Sequence, residues 1–146
     1  NNWADTGNSN IWNNGVDHTS TTFSIHTTGY VNSANSTYIS YHFASLAGIS
    51  KVGSFTGNGT GQNIDCGFSN GAKWVLLKNI SATHGWHLFD TTRGIVTGND
   101  PYKLLNTNAS QYTNVDMIDP YESGFAVTDH GEINGNGNTI IFYAIA

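Results

Sequence analysis

Short apolar runs separated by glycine and asparagine make up most of this chain, and no stretch carries a sustained helical period. Runs of this length bounded by turn residues are typical of β-strands. The pattern predicts an all-β chain with strands at 22–26, 37–44, 51–56, 62–67, 73–80, 86–90, 124–128 and 139–146. Asn-Gly pairs at 58–59, 70–71, 134–135 and 136–137 predict tight hairpin turns. A short helical turn is predicted only at 101–113.

Two segments, 23–44 and 125–146, repeat one 22-residue pattern at a constant offset of 102 positions without a gap. Seven pairs of positions are identical, and in three further pairs one apolar residue replaces another. The identical pairs are Phe23/Phe125, Gly29/Gly131, Asn32/Asn134, Thr37/Thr139, Ile39/Ile141, Tyr41/Tyr143 and Ala44/Ala146. A period of this length indicates tandem copies of a whole small domain rather than a solenoid. We therefore predict the back half of one β repeat at 1–47 and a complete repeat at 51–146.

The predicted fold is an antiparallel β-sandwich-like unit, preceded by the back half of a second similar unit. Residues 139–146 are almost wholly apolar, which predicts a central strand buried on both faces, whereas 38–44 alternates and predicts a half-exposed one. Half a sandwich leaves open strand edges and apolar surface. We expect upstream sequence or a neighbouring subunit to complete it. The first residue is Asn1 rather than Met, which fits a processed or excerpted piece.

Charge is scarce in this chain. Charged residues make up 10% of the sequence, where roughly 25% is usual, and 19 asparagines supply much of the polarity. The net charge is −5. Five scattered basic residues form no patch that could collect phosphates, which argues against nucleic-acid binding. The sequence has no apolar run of 18 residues, so membrane insertion is not expected.

Metal and cofactor chemistry find little support in the sequence. Cys66 is the single cysteine, which excludes an intramolecular disulfide and a cysteine-based metal cluster. His84 and His87 would point to opposite faces of a strand, so we interpret them as ordinary histidines rather than zinc ligands. We predict no metal site and no cofactor.

Catalytic motifs are equally sparse. Asp90, Arg93 and Gly94 could be an acid with an electrostatic helper, but a structural turn is favoured, in which the aspartate accepts turn amides and pairs with the arginine. The sequence contains no strained Gly-x-Ser-x-Gly elbow, and none of its ten acids stands out as half of a glycosidase pair. We predict that the protein is not an enzyme.

Aromatic residues in polar surroundings are the better candidates for a ligand site. Trp3, Trp12 and Tyr102 have Asn, Asp, Gly or Pro as neighbours, and aromatic faces beside such groups can grip sugar rings. Packing in the protein core is the alternative role for each of these three residues. For Trp74, inside KWVLLK, core packing is favoured.

Several motifs in 51–146 occur in the same order in a known family. They are KVGSFTGNGTGQNIDCGF at 51–68, AKWVLLKN at 72–79, HLFDTTRG at 87–94, KLLNTNAS at 103–110 and the closing segment 124–146. On these motifs the chain resembles a β domain that recurs in tail-fibre and other virion proteins of tailed bacteriophages, notably those of marine and cyanobacterial hosts. Family units often close on a Trp-rich strand, whereas this chain closes on FYAIA, so a ligand role of a terminal Trp is not carried over.

The resemblance implies a virion structural or host-contact protein, on the particle surface, in a fibre, spike or decoration position. Expected partners are further copies of the chain, for example in a trimer, and other virion proteins. A carbohydrate-binding module that recognises host glycans through exposed Trp and Tyr is the alternative. A polysaccharide depolymerase is the third hypothesis.

Overall fold

The computed structural model describes residues 19, 21–25 and 29–146. Phe43–Ala146 lies in one compact unit, and Trp3–His42 is assigned to another. Within the first unit all strand pairs are antiparallel. The predicted all-β, sandwich-like fold is confirmed.

Eight strands and one short helix form the larger unit. They are β1 (Ser50–Thr56), β2 (Gln62–Asp65), β3 (Trp74–Asn79), β4 (Trp86–Asp90), β5 (Lys103–Leu104), β6 (Ile118–Tyr121), β7 (Gly124–Val127), α1 (Gly131–Asn134) and β8 (Thr139–Ile145). One sheet has the order β1-β8-β3-β4-β5 and the other the order β2-β7-β6. We call them the five-stranded and the three-stranded sheet.

The core lies between the two sheets. Phe125 of β7 meets Phe142 of β8 edge to face, with ring centroids 5.5 Å apart. Val75 and Leu77 of β3 and Phe89 of β4 are fully buried beside them. Side chains of a strand alternate between its faces, so these residues define the inner face of the five-stranded sheet.

Strand β8 has the predicted central place, between β1 and β3. The prediction that both of its faces are buried is wrong. Ile140, Phe142 and Ala144 are buried, whereas the alternate residues Ile141 and Tyr143 are only half-buried. The three-stranded sheet covers one face of β8, and the other face points outward.

The prediction of a helical turn at 101–113 is wrong. The segment instead contributes β5 and an antiparallel bridge between Tyr102 and Tyr112, because Tyr102 packs its ring into the core. Strand β6 and helix α1 were not predicted. Pro120 lies within β6, which the strand tolerates because β6 is a sheet edge that needs no N–H on its open side.

The prediction that the Asn-Gly pairs close hairpins is wrong at all four places, since the pairs at 134–135 and 136–137 connect α1 to β8. Gly59, Gly71 and Gly137 have positive φ, as expected, whereas Gly135 has φ −57°. The pairs at 58–59 and 70–71 lie in connections that cross from one sheet to the other. Their left-handed residues redirect the chain between the layers instead of folding a strand back on its neighbour.

The strands predicted in the first repeat copy are not formed in the described residues. Ile25 makes an isolated bridge, and 36–45 carries no strand. A strand needs a neighbour for its backbone groups. In the second copy β8 has one on each side, whereas 37–44 has no strand partner among the described residues.

One turn has the same geometry in both repeat copies, at 33–36 and at 135–138. In each, the N–H of the fourth residue donates to the carbonyl of the first, at 3.2 Å and 3.0 Å respectively. The third residue has positive φ in both, 63° at Asn35 and 77° at Gly137. Such turns need Gly or Asn at this position. The shared turn supports the predicted repeat.

Candidate functional site

The outer face of the three-stranded sheet is polar. Its central row runs Asn63, Ala126 and Asp119 across β2, β7 and β6. Asp116 lies nearby, and burial, together with the carboxylates of Asp119 and Asp129, raises its pKa. This side of the molecule therefore gathers negative charge.

The outer face of the five-stranded sheet is apolar. Its central row runs Val52, Tyr143, Leu76 and Leu88 across β1, β8, β3 and β4 and ends at Lys103 of β5. We define the apolar face as the outward side chains of Val52, Trp74, Leu76, Trp86, Leu88, Ile141, Tyr143 and Ile145. An antiparallel sheet with one free side normally alternates apolar inward and polar outward residues. On this face Leu76 is buried within the chain, whereas Val52 and Trp86 are exposed.

A shallow groove of about 240 Å³ runs across this face. Its walls are almost wholly apolar, and Val52, at 42% exposure, and Trp86 mark its open rim. Phe43 packs on Tyr143, with ring centroids 4.5 Å apart, and Trp74 meets the same tyrosine edge to face. The apolar face thus already holds one aromatic side chain from the segment that precedes β1.

The chain before β1 is fixed by a small turn and two serines. Leu46 and Ser50 exchange backbone hydrogen bonds, and Ser50 Oγ donates to the carbonyl of Ala44 at 2.9 Å. Ser45 Oγ accepts from the N–H of Val52, also at 2.9 Å. These bonds occupy part of the open edge of β1, which would otherwise be a template for another strand.

The charged groups of the apolar face are satisfied within the chain. Lys78, on the outward side of β3, is buried and donates from Nζ to the carbonyl of His84. Desolvation by burial lowers its pKa. At the end of the face, Asp90 Oδ1 accepts from Arg93 N at 2.8 Å and Oδ2 pairs with the guanidinium.

The same contacts form the turn predicted at Asp90, Arg93 and Gly94. The N–H of Gly94 donates to the carbonyl of Asp90 at 2.9 Å, and Gly94 has φ 129°, which side chains rarely allow. The aspartate thus holds the turn through one amide and one ion pair.

His87 and Glu132 form a pair at the inner face. His87 is fully buried, and its Nε2 lies 2.9 Å from Glu132 Oε2. Burial lowers the pKa of His87, and the contact with Glu132 opposes this only in part. His84 Nδ1 approaches the same carboxylate at 4.0 Å. The expectation that the two histidines point to opposite faces is therefore wrong, because His84 precedes β4 rather than lying in it.

The described part of the chain contains no group of three or more His, Cys, Asp or Glu side chains placed to hold a metal. Cys66 is buried, and burial raises the pKa of its thiol to about 11. A thiol in this state is a poor nucleophile and a poor ligand.

The sequence-predicted sugar-binding residues do not converge on a site. Trp3 and Trp12 lie outside the described residues. Tyr102 is only 6% exposed; its ring stacks on Tyr112 at 4.8 Å and lies against Phe89 at 5.6 Å. Tyr102 is a core residue and offers no open face to a sugar.

A wide polar cleft of about 560 Å³ opens on the three-stranded side. Gln62, Asn63, Asp119 and Asp129 line it, and its lining includes no aromatic side chain among the residues that the structure describes. Such a cleft offers hydrogen-bonding groups to a ligand but no ring on which a sugar could stack.

The sequence analysis did not predict the apolar face, although the repeat contained a signal for it. Along β8 the identical repeat pairs, Thr37/Thr139, Ile39/Ile141 and Tyr41/Tyr143, all fall at outward positions. The inward positions Ile140, Phe142 and Ala144 have Tyr38, Ser40 and His42 as their counterparts. What the two copies share is therefore the outward side of the strand rather than its core side.

These features define an all-β, antiparallel sandwich domain with one apolar and one polar outer face. The chain belongs to the family described as Domain of unknown function (DUF7483), whose model matches residues 1–146. No curated protein and no solved structure matched the chain. Among the described residues, no helix is long and apolar enough to cross a membrane.

Proposed function

We propose that this chain is a structural module of a tailed-bacteriophage virion, in a fibre, spike or decoration protein, and that it acts through multimeric assembly. Its partners are other copies of the chain and other virion proteins, on the outer surface of the particle. In this proposal the module performs no chemistry of its own. The virion setting is supported by the order of the motifs in 51–146.

The assembly part of the proposal is carried by one observation. Apolar positions that are buried or half-buried in the second repeat copy are open in the first. Phe125 is fully buried, whereas its counterpart Phe23 is 43% exposed; Ile39 and Tyr41 are 79% and 80% exposed. Several large, exposed apolar side chains in one segment favour a contact with another polypeptide.

A buried asparagine supports the proposal that the first copy lacks a front half. Asn134 Oδ1 accepts from the N–H of Asn58 at 3.1 Å and from Gln62 Nε2 at 2.7 Å. Its Nδ2 donates to the carbonyls of Thr60 and Thr128. Three of these four partners belong to the front half of the repeat. The counterpart Asn32 is exposed, and a front half supplied by another segment would give it the same partners.

The half-repeat segment is also free of charge. Residues 18–50 contain no Asp, Glu, Lys or Arg. Interface cores are depleted of charged residues, because each buried charge must be desolvated or paired. An uncharged segment with open Ile and Tyr side chains suits burial against a partner.

Binding to a host glycan is the second candidate. Polar groups in the cleft beside Asp119 and Asp129 favour a hydroxyl-rich ligand. Glycan-array binding that is lost in Trp3→Ala or Trp12→Ala variants would support it. Depolymerase activity, the third hypothesis, would require polysaccharide cleavage that disappears when one carboxylate is replaced.

The test is the composition and imaging of purified particles of the virus that encodes the chain. We expect mass spectrometry to find the chain in a fixed ratio to the major capsid protein. Gold-labelled antibodies should bind at regular positions on the tail or the capsid. If the chain is expressed during infection but absent from purified particles, the virion proposal fails.

A further inference from the structure

We propose that the exposed segment 32–36, an asparagine followed by a turn, is a docking site for the β1–β2 connection of a further repeat unit. The occupant is a neutral segment of the type found at 57–62 in this chain. The docking site rests on the assembly part of the proposed function, because its occupant belongs to the partner that would complete the half repeat. It does not depend on the virion setting.

In the complete repeat, the turn at 134–138 is held by the segment 57–62, which we call the clasp. The N–H of Gly57 donates to the carbonyl of Asn138, and the carbonyl of Gly57 accepts from the N–H of Gly137, both at 2.8 Å. These bonds use backbone groups, which every turn of the same shape also presents. The clasp therefore shows what an open turn of this kind can bind.

Asn134 makes the contact with the clasp selective. Its side chain accepts from the N–H of Asn58 and from Gln62 Nε2, and it donates to the carbonyl of Thr60. Its carbonyl accepts from the N–H of Gly59 at 2.9 Å. A different residue at this place would leave several of these buried groups without a partner, which is costly. Recognition therefore depends on the asparagine that precedes the turn.

The first repeat copy presents the same groups in the open. Asn32 is the counterpart of Asn134 and is exposed. Within the residues that the structure describes, neither the Asn32 side chain nor the N–H of Asn35 has a hydrogen-bond partner. In the second copy, Gly137 takes the place of Asn35, and its N–H is bonded to the clasp.

The open turn already has the shape that the clasp binds. Asn35 has φ 63°, close to the 77° of Gly137. A positive φ is uncommon for a residue with a side chain. The turn therefore needs no rearrangement when a partner arrives, and a site that is ordered in advance loses less free energy on binding.

The clasp also defines the chemistry of the partner. A Cβ added to Gly57 would lie 2.3 Å from the carbonyl oxygen of Gly135, and Gly59 has φ 71°. The partner segment therefore needs glycine at both places and a side-chain amide at the place of Gln62. Neither side of the contact contains a charged residue. A charge in the partner segment would have to be desolvated without an opposite charge beside it.

The clasp of an intact second copy cannot be the occupant. Its Gly57 and Gly59 are already bonded to the turn at 134–138 of their own unit. The partner is therefore a front half of this repeat type that is not closed by its own back half.

A fusion that completes the first copy tests the docking site. The constant offset of 102 positions places an added segment 51–102 immediately before Asn1, and the whole chain follows unchanged. Nuclear magnetic resonance should show the amide hydrogen of Asn35 exchanging at least about tenfold more slowly in the fusion than in the original chain. The reason is that Asn35 would gain the bond that Gly137 makes in the second copy.

Two glycine substitutions, made only in the added segment, form a matched pair. Gly57→Ala would place a methyl group against the turn and should abolish the slow exchange of Asn35. Gly61→Ala is the control and should retain it, since a Cβ on Gly61 lies 3.7 Å from the carbonyl oxygen of Val127, an ordinary contact. Slow exchange that survives Gly57→Ala overturns the docking site. So does unchanged exchange of Asn35 in a fusion whose second copy is folded.

A second measurement decides the question if the fusion fails to fold. A peptide of residues 51–68, titrated into the original chain at millimolar concentration, should shift the resonances of Asn32 and Asn35. The same peptide with Gly57→Ala should not. Equal shifts with both peptides, or none with either, overturn the docking site.

The outcome is distinguishable from that of the virion proposal. A chain that is absent from purified particles, but whose fusion slows the exchange of Asn35, keeps the docking site and loses the virion role. A particle protein whose fusion leaves Asn35 unprotected does the reverse.

Discussion

At the scale of single residues, His87 is the clearest case of a side chain whose state is set by its surroundings. It is fully buried beside Phe89 and Tyr102, with Nε2 against Glu132. Desolvation lowers its pKa more than the carboxylate raises it. His87 is therefore neutral in the folded protein at a pH where the unfolded chain would begin to take up a proton.

This difference makes stability depend on pH. The ordinary pKa of histidine is about 6.5. The contribution of neutral His87 is complete above that pH and is lost as the pH falls below it toward the lowered pKa of the folded state. We expect the free energy of unfolding to decline between about pH 7 and pH 5.

His87→Gln is the informative variant, because its amide nitrogen can occupy the place of Nε2 without titrating. Urea unfolding at several pH values should give a flatter profile for this variant than for the wild type. Buried Asp100, whose pKa is raised by desolvation, is present in both proteins, so the difference between the profiles isolates His87. Parallel profiles would contradict the assignment.

At the scale of elements, close backbone packing fixes the position of β7 between β2 and β6. A Cβ added to Gly124 would lie 2.1 Å from the carbonyl oxygen of Ile64 and 3.0 Å from the N–H nitrogen of Cys66. Both contacts are with backbone, which cannot move aside as a flexible side chain can. The hairpin from β6 to β7 and the end of β2 therefore depend on a residue without a side chain.

Gly124→Ala should destabilise the protein by about 3 kcal/mol, since the strands must separate to admit the methyl group. Gly131→Ala is the matched control. A Cβ there meets nothing within 4 Å, so this change should be neutral or stabilise by about 0.5 kcal/mol. Thermal unfolding of both variants measures the difference. Equal effects would show that β7 is not held by this contact.

Sequence patterns predicted the elements that are strongly apolar and missed those that depend on distant contacts. β3, β4 and β8 were predicted within about two residues, because long apolar runs leave few alternatives. β6 was missed because it contains Pro120. Asp100 accepts from Val96, Met117 and Ile118, and no local pattern could indicate partners 17 and 18 residues away. The apolar face was missed because β8 was expected to be covered on both sides.

At the scale of the whole molecule, the chain holds one repeat copy that is folded into a sandwich and one whose apolar side chains are open. The same residue types thus occur in two environments, 102 positions apart. Ile141 lies half-buried in central β8, whereas Ile39 is 79% exposed. Comparing these two residues therefore measures what burial contributes to the stability of the strand.

Ile39→Ser and Ile141→Ser are matched substitutions at equivalent positions. Ile141→Ser should lower the free energy of unfolding by about 1–2 kcal/mol, because it removes half-buried apolar surface and a β-branched side chain from a strand. Ile39→Ser should change it by less than about 0.5 kcal/mol, as an exposed substitution does. Urea unfolding of the full chain measures both values.

In the assembled state, the substitution in the first copy should have a larger effect than it has in the isolated chain. If a partner completes the half repeat, Ile39 becomes buried there, and Ile39→Ser should weaken assembly while leaving the isolated chain as stable as before. Should Ile39→Ser cost the isolated chain as much as Ile141→Ser does, then the first copy is already covered within the chain. In that case the half repeat would lose its role as a contact, and the proposal of assembly through it would fail.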